Sequence, residues 1–207
     1  NIASKGIWTA KKRYILDVWD SEGVRYEKPK MKIMGLETQR SSTPQYFRDK
    51  LLEAFKTIIT GNNDDILKYI EFVKEDTRKQ DPIDIAFPRG VNGLEKYKSI
   101  ADIYAKGTPI HVRGALLYNY YVNKNKVSHK YAPIQEGEKI KYIYLKEPNP
   151  IGENVVSFMG QIPKEFRVDK FIDYNLQFEK SFYDPLKNVL QCIGWESERR
   201  VSLLQFF

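Results

Sequence analysis

The chain has 207 residues, of which 29% are charged and 42% hydrophobic. That length allows one sizeable domain or one and a half small ones, and the composition predicts a packed soluble core rather than disorder. A net charge of +7 with a pI near 9.2 favours an anionic partner, nucleic acid or a membrane surface, over basicity that serves solubility alone.

One cysteine, Cys192, excludes an intrachain disulfide. Two histidines, His111 and His129, are too few for a zinc pattern with it. No apolar run approaches the roughly 18–20 residues of a membrane span, so no membrane partner is expected. No basic-then-apolar leader precedes residue 20. The first residue is Asn1, not Met, and the expectation is a processed, truncated or split product.

In chain order, residues 7–34 read as strands. Ile7–Trp19 is taken as one of them, with Tyr14, Leu16 and Val18 on one face and Arg13, Ile15, Asp17 and Trp19 on the other. Glu22-Gly23 supplies a turn to Val24-Arg25-Tyr26, and Met31–Met34 is a third strand ended by Gly35. Thr43 is the expected cap of a helix with Pro44 at its first position. Phe47, Leu51, Phe55, Ile58 and Ile59 form its apolar stripe. A second helix, capped by Asn63 or Asp64, runs to about Lys79. Ile83–Phe87 alternates like a short strand, and 88–108 reads as mostly loop with a turn of helix near Ser99–Tyr104. From Pro109 to about Asn123 apolar residues wrap most of a helical cylinder, which predicts a buried helix. Residues 124–138 form a connection. Strands follow at Lys139–Leu145 and Val155–Met159, and then a helix from Asp169 that Pro185 breaks or kinks before its stripe resumes to Gly194.

Four groups of residues could carry function. Lys11, Lys12 and Arg13 precede Tyr14. On a strand, one flank of such a cluster can reach phosphates and the minor-groove acceptors that every base pair presents. The plainer meaning is a cation-protected edge strand. Arg40 and Ser41 lead into a helix N-terminus, where amides, hydroxyls and a cation suit phosphate, although a capping motif is as good a reading for Ser41 and Thr43. His111 and Arg113 lie near the start of the Pro109 helix. A blind reading of His111 is a hydrogen-bonded core residue. The tail ends in Leu203, Leu204, Phe206 and Phe207, apolar anchors able to fill a groove or to pack on the body. No P-loop or dinucleotide fingerprint is present. Asp17 and Asp20, three apart on a strand, point to opposite faces and read as structural.

The order of three motifs resembles the replicative DNA polymerases of family B, most closely those of T-even-type bacteriophages. Lys11-Lys12-Arg13-Tyr14 matches their KKRY strand. The run Lys32-Ile33-Met34-Gly35-Leu36-Glu37-Thr38-Gln39-Arg40-Ser41-Ser42-Thr43-Pro44 matches their segment from palm to thumb. Pro109–Asn119 matches a thumb helix. The resemblance runs from about Trp8 to the last residue.

It implies an α+β chain: a small antiparallel palm remnant at 1–40, a mainly helical thumb with added strands at 41–198, and a clamp-binding tail at 199–207. Lys12 and Tyr14 would then face primer-template DNA near the primer end, with Lys11 and Arg13 on or behind the backbone contacts. Arg40, Ser41, His111 and Arg113 would serve the DNA backbone. The tail is similar to the Ser-Leu-x-x-x-Phe ending that docks on a sliding clamp. The glutamine of the wider clamp motif would fall at Arg200, so that match is incomplete.

The resemblance also implies what lies elsewhere. The paired carboxylates that hold two Mg2+ ions in such enzymes sit in motifs this chain lacks, so no catalytic and no metal residue is assigned to it. The expected partners are primer-template DNA, the exonuclease, palm and fingers domains, and the sliding clamp, in the cytoplasm of an infected bacterium. In a split enzyme the exposed Ile7–Trp19 strand would pair with the missing palm sheet. Two other readings stay open on the residues alone. One is a free-standing nucleic-acid-binding module using some of the 14 tyrosines to stack on bases. The other is a scaffold with no DNA role.

Overall fold

A computed structural model describes residues 1–199. The chain forms two units, one from Asn1–Lys79 with 178–199, the other from Gln80–Gln177. Each carries one three-stranded antiparallel sheet with helices, the α+β class expected from the sequence.

In the first unit β1 (Ile2–Ala10), β2 (Arg13–Ser21) and β3 (Val24–Met34) form the sheet in that order. The strand expected at Ile7–Trp19 is two strands. Ala10 pairs with Arg13, so Lys11 and Lys12 are the loop of a tight hairpin. Such a loop needs left-handed backbone. Lys12 supplies it at φ 62, and because no glycine or asparagine marks the place, the alternation alone could not show the break. The second hairpin turns at Glu22-Gly23 as expected, with Ser21 opposite Val24.

Directly opposed residues share a face. Ile7, Ile15 and Ile33 form one cross-strand row, and Ile7 and Ile15 are buried. Trp8, Tyr14 and Met34 form the next row on the opposite face, where Trp8 is 62% exposed.

After a 3-10 turn at Glu37–Gln39 come α1 (Gln45–Thr60) and α2 (Asn63–Thr77). Phe47, Leu51, Phe55 and Ile58 of α1 are buried, as are Ile66, Ile70 and Val73 of α2. Two caps differ from expectation. Pro44, not Thr43, is the N-cap of α1, and the Thr43 N–H closes a turn onto the Arg40 carbonyl. Asn62, not Asn63 or Asp64, caps α2. Its side chain accepts from the Asp65 N–H and the Asp65 carboxylate accepts from the Asn62 N–H, each at 3.1 Å, a capping box. The C-terminal helix reaches α7 (Asp184–Cys192) through a π turn at Glu179–Tyr183. The wide turn absorbs the missing N–H and the ring of Pro185, where a break or kink was expected.

The second unit begins with α3 (Pro82–Ile85), where a strand was expected. The Asp81 side chain accepts the Ile83 N–H at 2.9 Å and Pro82 starts the turn, a local preference that outweighs the short alternation. The strand is displaced to β4 (Phe87–Gly90), which pairs with β5 (Lys139–Tyr144) and through it with β6 (Val155–Phe158). The loop from 91 holds its helical turn at α4 (Leu94–Tyr97), earlier than the Ser99–Tyr104 expected.

The long α5 (Ile110–Lys124) buries Val112, Ala115, Leu117, Tyr118 and Val122, and Gly114 is where it meets β6. A Cβ there would stand 2.4 Å from the Ser157 hydroxyl and 2.9 Å from its backbone N. Asn119 grips the following connection, donating to the Ile134 carbonyl at 2.9 Å and accepting its N–H at 2.7 Å. The short α6 (Tyr174–Phe178) ends the unit. Among the described residues no helix is long and apolar enough to cross a membrane.

Candidate nucleic-acid interface

The first unit brings two distant sequence motifs together. Lys11 and Lys12 are exposed at the tip of the β1–β2 hairpin. Gly35, at the end of β3, lies against that tip. Its φ is +69, and a Cβ on it would sit 2.3 Å from the Lys12 carbonyl oxygen and 3.0 Å from Arg13 Cγ. Only glycine fits there, on conformation and on space. Arg13 does not join Lys11 as a free cation. Its guanidinium donates to the Glu37 carboxylate at 3.0 Å and 3.3 Å, and Arg40 lies 3.6 Å from the same carboxylate.

Glu37 is thus the hub that ties the basic tetrapeptide to the segment before α1. The reading of the sequence missed it. The available signal was an acid three residues before Arg40 in a segment otherwise rich in cations. Two arginines share one carboxylate, so the cluster keeps an excess of positive charge beside the two lysines. Arg40 is the freer of the two, with 51% of its side chain exposed against 34% for Arg13. Ser41 is exposed next to it, and α1 starts without a side-chain cap. Tyr14 stands on the open face of the sheet between Trp8 and Met34.

We expect Gly35→Ala to destabilise the chain by about 2 kcal/mol, from left-handed strain and overlap together. Nucleic-acid affinity should fall with it although no charge is lost. Thermal denaturation and a binding titration on the same variant check this.

In the second unit His111 and Arg113 sit in the first turn of α5, and they differ in surroundings. Arg113 turns inward. It donates to Asn154 Oδ1 at 2.5 Å, its Nε lies 3.8 Å from Glu153, and its guanidinium covers the Tyr104 ring at 5.7 Å. Tyr104 in turn donates to Glu153. Burial pushes the Glu153 carboxyl up.

His111 is half-buried, 6.3 Å from the Tyr142 ring, and its carbonyl accepts from Ser157 Oγ at 3.0 Å. Desolvation, then the nearby Arg89 cation, hold its pKa below the usual 6.5. At neutral pH it is therefore an uncharged hydrogen-bonding group and not a second cation beside Arg113.

The sign for stability follows. With a lowered folded-state pKa the unfolded chain binds the proton more readily, so stability falls as pH drops from about 6.5 through the lower folded value. The thermal midpoint should decline over that window, and His111→Gln should flatten the decline.

The carboxylates near the hairpin have structural partners. Asp17 accepts from Ser4 Oγ at 2.7 Å, and Asp20 accepts the Gly23 N–H at 3.0 Å. Among the described residues no group of three or more His, Cys, Asp and Glu is placed to hold a metal ion. Leu203, Leu204, Phe206 and Phe207 lie outside the described residues.

No protein-family model matches the chain. The DNA-directed DNA polymerase of Enterobacteria phage T4 is 35% identical to it over 209 residues, 98% of this chain. That of Escherichia phage RB69 is 34% identical over 213 residues, the whole chain. Over its whole length the chain is similar to part of the phage DNA-directed DNA polymerases. It spans 23% of the length of each of these two relatives. The motif order that suggested phage polymerases therefore sits inside an end-to-end similarity.

Proposed function

We propose that this chain is the part of a phage DNA polymerase that grips primer-template duplex and tethers the enzyme to a sliding clamp. The observation that carries the reading is the juxtaposition of the Lys11–Lys12 tip with Arg40 and Ser41 around Gly35 and Glu37. It sets cations and hydroxyls of two sequence motifs on one rim. Lys11, Lys12, Arg40 and Ser41 contact phosphate or minor-groove edges, and Tyr14 lies beside the groove. Arg13 holds the rim together through Glu37. In the second unit His111 offers a neutral hydrogen bond, and Arg113 positions the start of α5 through Asn154 and Glu153 without reaching DNA itself. In this reading 1–40 is the end of the palm, 41–198 the thumb, and 199–207 the tail whose Leu203, Leu204, Phe206 and Phe207 fill a groove on the clamp. The two Mg2+ ions and their carboxylates belong to the rest of the polymerase, which acts in the cytoplasm of the infected bacterium.

Steady contact with the product duplex lowers dissociation, so more nucleotides are added per encounter. The test is a titration of the chain with primer-template duplex at several salt concentrations. Affinity should fall steeply with salt and depend little on sequence. Deleting 203–207 should leave that titration unchanged and abolish binding to the clamp of the same phage. Salt-independent binding, or a preference for single strands, would sink the duplex reading. Clamp binding by the truncated chain would sink the tail assignment.

A further inference from the structure

We propose that residues 200–207 dock on an aromatic shelf of α2 and are thereby withheld from the clamp until it displaces them, a regulation that rests on the tail reading above. The path of the chain leads to that shelf. Asn63, at the start of α2, donates its side-chain amide to the Glu196 carbonyl and accepts the Glu196 N–H, each at 3.0 Å. Tyr183 holds the next residues, sharing a hydrogen bond with Ser197 Oγ at 3.0 Å and donating to the Glu198 carboxylate at 2.6 Å. Arg199 Nε then lies 3.6 Å from Glu71. From Asn63 to Glu71 is an advance of about 12 Å along α2 with about 80° of rotation around it. The chain therefore winds along α2 toward its C-terminal end, and the next helix positions on that path are Phe72 and Glu75.

Phe72 is 54% exposed, on a helix that buries Ile66, Ile70 and Val73. It does not stand alone. The Tyr69 ring is 6.0 Å from it, centroid to centroid, and the Lys50 ammonium of α1 lies 5.0 Å over the Phe72 ring. Asp76 holds Lys50 there at 3.4 Å, so a cation takes one face of the ring and the rest of the shelf is open. The tail has the complementary chemistry. Arg199 and Arg200 match Glu71 and Glu75, the latter held only by a surface pair with Arg78. Val201, Leu203 and Leu204 follow as apolar cover. At roughly 3.3–3.6 Å per residue, 200–207 reach at most about 29 Å, ample for the step from Glu71 to Phe72. The end of the described chain beside Glu71 decides for the chain's own tail, because tethering gives it an effective concentration in the millimolar range that a separate segment would have to exceed. At that concentration a contact with a dissociation constant of about 1 mM docks about half of the tails and halves the apparent clamp affinity. A contact ten times tighter lowers it about tenfold.

The experiment follows the Phe72 ring signals by NMR in the full chain, with a soluble gadolinium chelate that broadens exposed groups. A second full-length chain carries Leu203→Ser, Leu204→Ser, Phe206→Ser and Phe207→Ser. Broadening at Phe72 should be about twofold or more weaker in the unaltered chain than in this tail variant, and adding the clamp of the same phage should restore it. Clamp affinity is then compared between the unaltered chain and Phe72→Gln, an exposed position taking a good helix former. The variant should bind the clamp about two- to tenfold more tightly. Equal broadening in the unaltered chain and the tail variant overturns the proposal, and that comparison leaves Phe72 itself untouched. Shielding that grows with chain concentration also overturns it, since it assigns the shelf to the tail of a second copy. Equal clamp affinity with and without Phe72 overturns the withholding. Tail-dependent shielding in a chain that binds no clamp refutes the clamp reading alone, and clamp binding without shielding refutes the docking alone.

Discussion

Gly114→Ala is expected to lower the thermal midpoint by about 10 °C. On an exposed helix the same change stabilises by about 1 kcal/mol, since alanine is the better helix former. Here the sign reverses. The new Cβ would stand 2.4 Å from Ser157 Oγ and 2.9 Å from Ser157 N. The hydroxyl could turn away only by giving up its bond to the His111 carbonyl. The backbone N cannot yield so easily, because β6 is buried along all four of its residues. Overpacking of this kind costs about 1–3 kcal/mol, and at that size each kcal/mol shifts the midpoint by about 4–8 °C for a domain near 100 residues. Removing the hydroxyl separates the two contacts. Gly114→Ala on a Ser157→Ala background should lose less than the single changes summed, a positive coupling between touching groups. A midpoint that rises with Gly114→Ala would show that α5 and β6 are not in close contact there.

Lys11→Ala, Lys12→Ala together should weaken duplex binding by about 10- to 100-fold near physiological salt. The salt dependence should become shallower by about two charges, uniformly across DNA sequences. Stability should stay level, because both side chains are exposed at the hairpin tip. A sharper form uses Lys12 alone. It holds φ 62, where a residue with a Cβ pays about 1–2 kcal/mol. Lys12→Gly should therefore raise the thermal midpoint while lowering duplex affinity. A residue kept for packing or turn formation would show the opposite pairing, with stability and binding moving together. An unchanged salt slope in the double variant would remove the hairpin tip from the interface.

Helix periodicity carried α1 and α2 from the sequence, and the apolar wrap carried α5, because the apolar positions of each are buried and the 3.6-residue repeat has no competitor over 15 or 16 residues. The short elements were not legible. Ile83–Phe87 alternates, yet Asp81 and Pro82 start a helical turn, and over so few residues a cap outweighs a pattern. The hairpin at Lys11-Lys12 was hidden for a related reason. A lysine in left-handed backbone is held there by its neighbours, Gly35 among them, and leaves no local mark.

The candidate site divides along the same line. Residue order alone named the basic tetrapeptide, the segment leading to Pro44 and the start of α5, and with them the polymerase family. Tertiary structure decided which cations are free. Arg13 is paired with an acid 24 positions away and Arg113 with an asparagine 41 positions away. Sequence reports how many charges a chain has and in what order. Which of them meet is set by where loops return, and a charge already engaged inside the fold has less left to offer a phosphate.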